Sequence, residues 1–204
     1  MPGFFSQIWT VIKMNVLSLP QRLWMSLAAV FAVSVVVAVL LAFLAMATGF
    51  EETLAGTGAD DVAIITRTGS QSEVNSVLSR NTANLVSTSP GIATNGDGSA
   101  VYSAEVYVIV DGIKRSTQNE ANIPLRGLSP DGVDLRSSVS MTEGRMFEAG
   151  RIEIIVGAGV QRAFEGFEVG QQIRFGKTVW DIVGVFSTGG SAFESELWAA
   201  AATV

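Results

Sequence analysis

The chain has no cysteine and no histidine. Without cysteine there is no disulfide framework and no thiolate nucleophile. Without histidine the commonest zinc ligand and the commonest general base near neutral pH are both missing. Any fold outside the cytoplasm must therefore rest on its hydrophobic core, which a domain of roughly 150 residues is large enough to supply. Basic residues are also scarce, with 13 Lys and Arg against 19 Asp and Glu and a net charge of −6. With no basic cluster, nucleic acid is not expected as a partner. The first 50 residues hold no acid, only Lys13 and Arg22 (+2), which leaves 11 bases and 19 acids (−8) in residues 51–204.

Charge is missing altogether from Leu23 to Phe50, 28 consecutive residues. A helix needs about 20 such residues to cross a hydrocarbon core of roughly 30 Å. Ser26, Ser34 and Thr48 are hydroxyls expected to bond back to the helix's own carbonyls. Ala45-Met46-Ala47 has the small-x-small form of a signal-peptidase site, but a signal peptide's apolar core is only about 7–15 residues. The run is expected to be an uncleaved anchor in the lipid bilayer. Its basic end belongs in the cytoplasm, which places the acidic remainder outside. Ser34, Ala38, Ala42, Ala45 and Gly49 share one helical face, a membrane helix packing face of small residues that lets a second helix approach closely. Upstream, Phe5, Ile8, Ile12 and Val16 recur at helical spacing, with Trp9 as an interfacial residue, and predict a short amphipathic helix on the membrane surface. Pro20 ends it, and Arg22 and Trp24 flank the span.

The expected organisation is a cytoplasmic amphipathic segment 1–22, a membrane helix 23–50, a linker 51–61, an extracytoplasmic domain 62–198 and a tail 199–204. Within the domain, Val62–Ile65 reads as a strand. A helix capped by Ser70 or Ser72 is expected through about Arg80, burying Val74, Val77 and Leu78. Residues 81–99 are rich in turn signals. Strands are expected at 101–110, 122–128 and 152–156, the last leading through Gly157-Ala158-Gly159 into a helix 160–164. Gln172–Phe175 and Thr178–Val185 flank Gly176-Lys177 as a β-hairpin. The class is α+β, with short mixed strands and one or two helices.

Chemistry-bearing patterns are thin. Gly157-Ala158-Gly159 lacks the third glycine of a dinucleotide fingerprint, since Arg162 stands there, and reads as a strand-to-helix turn. There is no Walker phosphate loop. Glu194 and Glu196 alternate with apolar neighbours; an exposed strand or helix edge explains this more often than a metal or acid/base pair. Ser187, Ser191 and Ser195 lie in a glycine-rich loop without a histidine base, and nothing local supports a Ser–Lys pair with Lys177 or Lys114. No catalytic, cofactor-binding or metal site is expected, and the chain is not expected to be an enzyme.

Several segments resemble the MacB/FtsX/LolC-type ABC transporter permeases. They are Pro124-Leu125-Arg126-Gly127-Leu128-Ser129-Pro130, Thr142-Glu143-Gly144-Arg145-Met146-Phe147, Ile155-Val156-Gly157, Phe167-Glu168-Val169-Gly170-Gln171-Gln172-Ile173 and Trp180-Asp181-Ile182-Val183-Gly184-Val185-Phe186. The resemblance implies a MacB-like periplasmic core domain behind the first of four membrane helices, in the plasma (inner) membrane. No second apolar run follows here, so the sequence is expected to be a fragment or one half of a split permease. The implied role is mechanical: a cytoplasmic ABC ATPase hydrolyses ATP and the external domain moves. Implied partners are that ATPase, a second permease copy, and a periplasmic adaptor or lipoprotein. Two alternatives stand beside transport. One is FtsX-like mechanotransmission to a cell-wall hydrolase, and the other is a single-pass anchored binding or sensor domain with no ATPase.

Overall fold

The structure is a computed structural model that describes residues 3–18, 20–55, 58–59, 61–136 and 138–204. It divides into two units, residues 1–51 and 52–204. In the first, helix α1 spans Phe4–Ser18, and Pro20–Arg22 forms a 3₁₀ turn before helix α2, Leu23–Ala55. The side chain of Phe5 lies outside the described residues. Helix α2 is long and apolar enough to cross a membrane over Leu23–Glu51, with a mean hydropathy of 3.0 in its most apolar window. Inside it, the Thr48 hydroxyl donates to the carbonyls of Leu44 (3.2 Å) and Ala45 (3.0 Å), so this polar group is satisfied within the helix. The helix runs five residues past the expected end at Phe50, because Glu51 to Ala55 contains neither proline nor glycine to stop it. Of the expected linker, Gly56, Thr57 and Asp60 lie outside the described residues.

In the second unit, the segment after α2 departs from expectation. Val62–Ile65 is extended but pairs with no strand among the described residues, and Ile64 is 71% exposed. The helix expected from Ser70 or Ser72 to Arg80 is only a 3₁₀ turn, Glu73–Asn75, and Val74, Val77 and Leu78 are exposed. The helix here is α3, Arg80–Ser87, inside the stretch expected to be turns. Ser79 is its N-cap, its hydroxyl accepting from the Thr82 amide (3.2 Å). A strong cap starts the helix where Ser72, whose side chain makes no cap bond, does not.

Seven strands then follow: β1 Val106–Ile113, β2 Glu120–Leu128, β3 Ser140–Gly144, β4 Glu153–Gly157, β5 Gln172–Phe175, β6 Thr178–Ser187 and β7 Leu197–Ala200. Helix α4, Ala158–Ala163, follows β4 directly. They form one mixed sheet in the order β1-β2-β7-β4-β6-β3, with β5 also paired to β6. The β2–β7 and β4–β6 pairs are parallel and the remainder antiparallel. This is the α+β class read from the sequence. Two strands are not among those expected: β3 at Ser140–Gly144, and β7, whose Ala199 and Ala200 belong to a central strand and not to a tail beginning at residue 199.

Strand periodicity explains the core. On one face, Ile154, Val156, Leu197 and Ala199 pack with Ile123, Leu125 and Val160 of α4. Their alternate neighbours Ile155 and Trp198 point to the other face, against Leu128 and Phe186. Strand β4 is buried at all five positions, as a strand covered on both faces requires.

Candidate functional site

The strand register builds one unusual row across the second face of the sheet. Tyr107 of β1 lies opposite Arg126 of β2, Arg126 beside Trp198 of β7, and Trp198 opposite Ile155 of β4. Because side chains alternate, Glu196 lies two residues before Trp198 on the same face and points back at Arg126. The Arg126 guanidinium grips it with two bonds, Nε to Oε2 and Nη2 to Oε1, both 2.8 Å. Its Nη1 donates to Glu73 Oε2 (2.7 Å) and Glu105 Oε2 (2.9 Å). Arg126 also lies 4.6 Å from the centroid of the Tyr107 ring. A second guanidinium, Arg136, bonds both oxygens of Glu105 (2.9 and 2.8 Å) and the Gly132 carbonyl, and it lies over Phe193 and Trp198. The Trp198 indole N–H closes the network on Glu196 Oε2 (2.9 Å).

Two cations and three carboxylates thus share one cluster with three aromatic rings, desolvated around Arg126 and Glu196 and open to water at Glu73. Burial by itself would depress the Arg126 guanidinium; its hydrogen bonds and charge contact with Glu196, and then with Glu105, outweigh burial and raise it. Burial likewise raises the Tyr107 phenol, with the charge of Glu196 adding to it. Arg126 is therefore a fixed cation. In such a cluster desolvation offsets most of the attraction, whereas losing one partner leaves a buried charge uncompensated.

Glu194 and Glu196 are the clearest correction to the sequence reading. Both are 6% exposed, so neither lies on an exposed edge. Glu194 folds into the Gly189-Gly190 turn, where its Oε1 accepts from the Ser187 hydroxyl (2.6 Å) and the amides of Thr188 and Gly190 (3.0 Å each). Burial pushes this carboxyl up, but the Ser187 hydroxyl, the two amides and Arg162 prevail and lower it. Two of the three serines are bound into structure: Ser187 donates to Glu194, and Ser191 shares a bond with Thr188 (2.6 Å). No hydrogen bond joins Lys177 or Lys114 to a serine among the described residues, nor does any group of three acids converge as a metal site there.

The Gly157-Ala158-Gly159 turn has a packing reason. A Cβ on Gly157 would lie 2.2 Å from the Glu194 carbonyl oxygen, and one on Gly159 would lie 2.8 Å from the same atom. The glycines admit the 3₁₀ turn Ala192–Ser195 against the start of α4, and the Gly157 amide bonds the Glu196 carbonyl (2.9 Å).

At the other end of β4, Glu153 fixes the Thr142–Phe147 segment. It accepts two bonds from Arg145 (2.7 and 2.9 Å), one from the Glu148 amide (2.9 Å) and one from Arg151 (3.2 Å). The Arg145 bonds come first among the causes that hold its carboxyl down at about 2. Because the folded value is depressed, the stability it contributes is present above its ordinary value near 4.5 and is lost as pH falls toward about 2. The stability gap between parent and Glu153→Gln, read by urea denaturation across that interval, is expected to close progressively. A gap that stays constant with pH would contradict the assignment.

The five small residues expected to form a membrane helix packing face, Ser34, Ala38, Ala42, Ala45 and Gly49, all lie within α2. At 3.6 residues per turn they fall within an arc of about 80°. The Arg126 cluster is not legible in Pro124-Leu125-Arg126-Gly127 itself. An arginine among apolar neighbours in a strand was the one available sign, and it named no partner.

The model of the MacB-like periplasmic core domain matches residues 26–204, which takes in most of α2 and the whole second unit. The chain belongs to this family. It carries the MacB-like periplasmic core domain of an ABC transporter-type permease, and α2 is the apolar helix that precedes that domain. Three solved structures are similar at low identity. The extracellular domain of the noncanonic ABC-type transporter YknZ from Gram-positive bacteria shares 16% identity at a TM-score of 0.43, over 59% of this chain and 61% of that one. The periplasmic region of MacB from Actinobacillus actinomycetemcomitans gives 18% and 0.40, over 60% and 54%. A domain of a putative permease protein from Porphyromonas gingivalis gives 12% and 0.38, over 50% and 46%. The chain therefore spans less than two thirds of each of these structures. No curated protein matches it.

Proposed function

We propose that this MacB-like chain is a permease subunit, or the N-terminal part of one, that couples ATP hydrolysis by a separate cytoplasmic ATPase to movement of its extracytoplasmic domain for export or lipoprotein handling. The observation that carries this reading is the family match, which begins inside the apolar helix and continues through the domain, so the two belong to one evolutionary unit. The charge distribution supports an N-terminus in the cytoplasm of the plasma (inner) membrane: only Lys13 and Arg22 precede the span, and a −8 excess follows it. The Glu73–Arg126 bond links the stretch following α2 in sequence to β2 of the sheet, a contact consistent with mechanical coupling. The small-residue face of α2 is suited to pack against further membrane helices, from this subunit or a second permease copy. An adaptor or lipoprotein outside the membrane completes the expected assembly.

The test is to purify the tagged chain from its host's membranes in mild detergent and assay ATP turnover in the preparation. An ATPase is expected to co-purify and to be lost, by an order of magnitude or more, from an Ala38→Phe/Ala42→Phe variant whose bulky rings block close helix approach. A well-folded chain that purifies with no ATP turnover would overturn this reading in favour of a single-pass anchored binding domain.

A further inference from the structure

Between α3 and β1 the chain turns through a tight hairpin. Thr94 pairs with Ala100 across it, the Asn95 amide donates to the Ser99 carbonyl (2.8 Å), and the Gly98 amide donates to the Asn95 carbonyl (2.9 Å). Gly98 takes a φ of +83°, which closes the three-residue loop Gly96-Asp97-Gly98. Every residue from Asn95 to Ser99 is exposed.

This loop holds two of the four places where Asn or Asp precedes glycine: Asn95-Gly96, Asp97-Gly98, Asp111-Gly112 and Asp131-Gly132. At such a pair the backbone nitrogen of the glycine can attack the side-chain carbonyl carbon before it, because no Cβ shields that nitrogen or restricts its approach. The structure separates the four. Gly132 is buried, with its amide bonded to the Ser129 carbonyl (2.9 Å). Gly112 is buried within β1, where an added Cβ would meet Ile123 at 2.5 Å. Gly98 is exposed, but its amide is held by Asn95. Gly96 alone combines exposure with an amide that donates no hydrogen bond among the described residues. The residue before it is also the only one of the four with an amide nitrogen to lose.

We propose that Asn95 is a site of spontaneous deamidation, with the Gly96 nitrogen as nucleophile. Hydroxide takes the Gly96 amide proton, the nitrogen bonds to Asn95 Cγ, and the Cγ–Nδ2 bond breaks as that nitrogen leaves with a proton from water as ammonia. Water then opens the five-membered imide at either carbonyl, giving aspartate or isoaspartate. The net change is one water consumed, one ammonia released and one negative charge gained. That charge falls at a sensitive place. Asn95 Nδ2 donates to Ser99 Oγ (3.0 Å), whose own proton goes to Asp97 Oδ1 (2.7 Å). A carboxylate at position 95 faces that oxygen with no proton to give and repels Asp97, which loosens the hairpin. The site rests on the hairpin alone and stands whether or not an ATPase partner exists.

The experiment ages the purified full chain in micelles in mildly alkaline buffer, both folded and unfolded in guanidinium chloride. Mass spectrometry of tryptic peptides reads conversion at each residue, and an isoaspartyl methyltransferase counts isoaspartate. Asn95 is expected to convert in the folded chain within about threefold of its unfolded rate, because an exposed hairpin tip opens at little cost. Asp131 is expected to isomerise about tenfold or more slower folded than unfolded, because its glycine amide is buried and bonded. Gly96→Ala, whose Cβ meets nothing within 4 Å, is expected to fold like the parent and slow Asn95 conversion about tenfold. Asn95 left intact in the folded chain, Asn95 protected by folding as strongly as Asp131, or a Gly96→Ala chain that converts at the parent's rate would each overturn the proposal.

Discussion

Arg126→Ala is expected to destabilise the external domain by about 3–5 kcal/mol, the range for removing one partner of a buried ionic cluster. The reason lies in what it leaves behind. The Arg126 side chain is 7% exposed and supplies bonds to three carboxylates, of which Glu196 is equally buried. Without it, Glu196 keeps only the Trp198 N–H, and Glu105 keeps Arg136. A buried carboxylate without its cation is the costly species, much more than the lost attraction itself. Urea denaturation of the full chain in micelles, followed by tryptophan fluorescence, measures the change. Two companions separate the causes. Arg126→Met with Glu196→Leu removes both charges and is expected to recover most of the loss. Glu73→Gln is expected to cost less than about 1 kcal/mol, because Glu73 is 34% exposed and water screens the pair. If Arg126→Ala stays within about 1 kcal/mol of the parent, the cluster is not the organising feature described here.

Trp198→Ala is expected to cost a similar 3–5 kcal/mol, through a different mechanism. Trp198 is fully buried in β7, stacks on Phe186 with centroids 4.1 Å apart, and meets Phe193 edge-on at 5.8 Å. Alanine opens a cavity that the neighbouring side chains of β2, β4 and β6, held by the sheet, cannot fill. Trp198→Phe keeps a ring in the stack and deletes the N–H bond to Glu196, so about 1 kcal/mol of loss is expected there. A Trp198→Phe change as severe as Trp198→Ala would locate the effect in the hydrogen bond instead of the packing. Since Trp198 and Arg126 both bind Glu196, the double variant Arg126→Ala/Trp198→Ala is expected to be non-additive.

Local patterns were readable where one stretch of chain decides its own conformation. The uncharged run beginning at Leu23 and the Gly176-Lys177 hairpin satisfy their hydrogen bonds with near neighbours in sequence, while the strand ending at Gly157 is marked by its unbroken apolar run although its partners β6 and β7 are distant. The stretch from Val62 to Leu78 carries apolar residues at strand and helix spacing, yet forms neither element. A period is only an offer of a buried face, and no partner among the described residues takes up Ile64 or Val77. β7 failed in the opposite sense. Leu197-Trp198-Ala199-Ala200 has no alternation and runs into more alanine, but it becomes a central strand because β2 and β4 enclose it on both edges.

The pair Glu194 and Glu196 marks the boundary most sharply. By itself the sequence determined an uncharged helix, an α+β domain without cysteine or histidine, and a family likeness carried by turns. Those depend on composition and on contacts within a few residues. Only the tertiary structure decided that two glutamates flanking a serine are buried, one pinning a glycine turn and the other held by an arginine 70 residues earlier. Glu196 becomes internal because a distant cation is brought to it, and the register of β2 against β7 sets that meeting, while Glu194 turns onto amides four and six residues away.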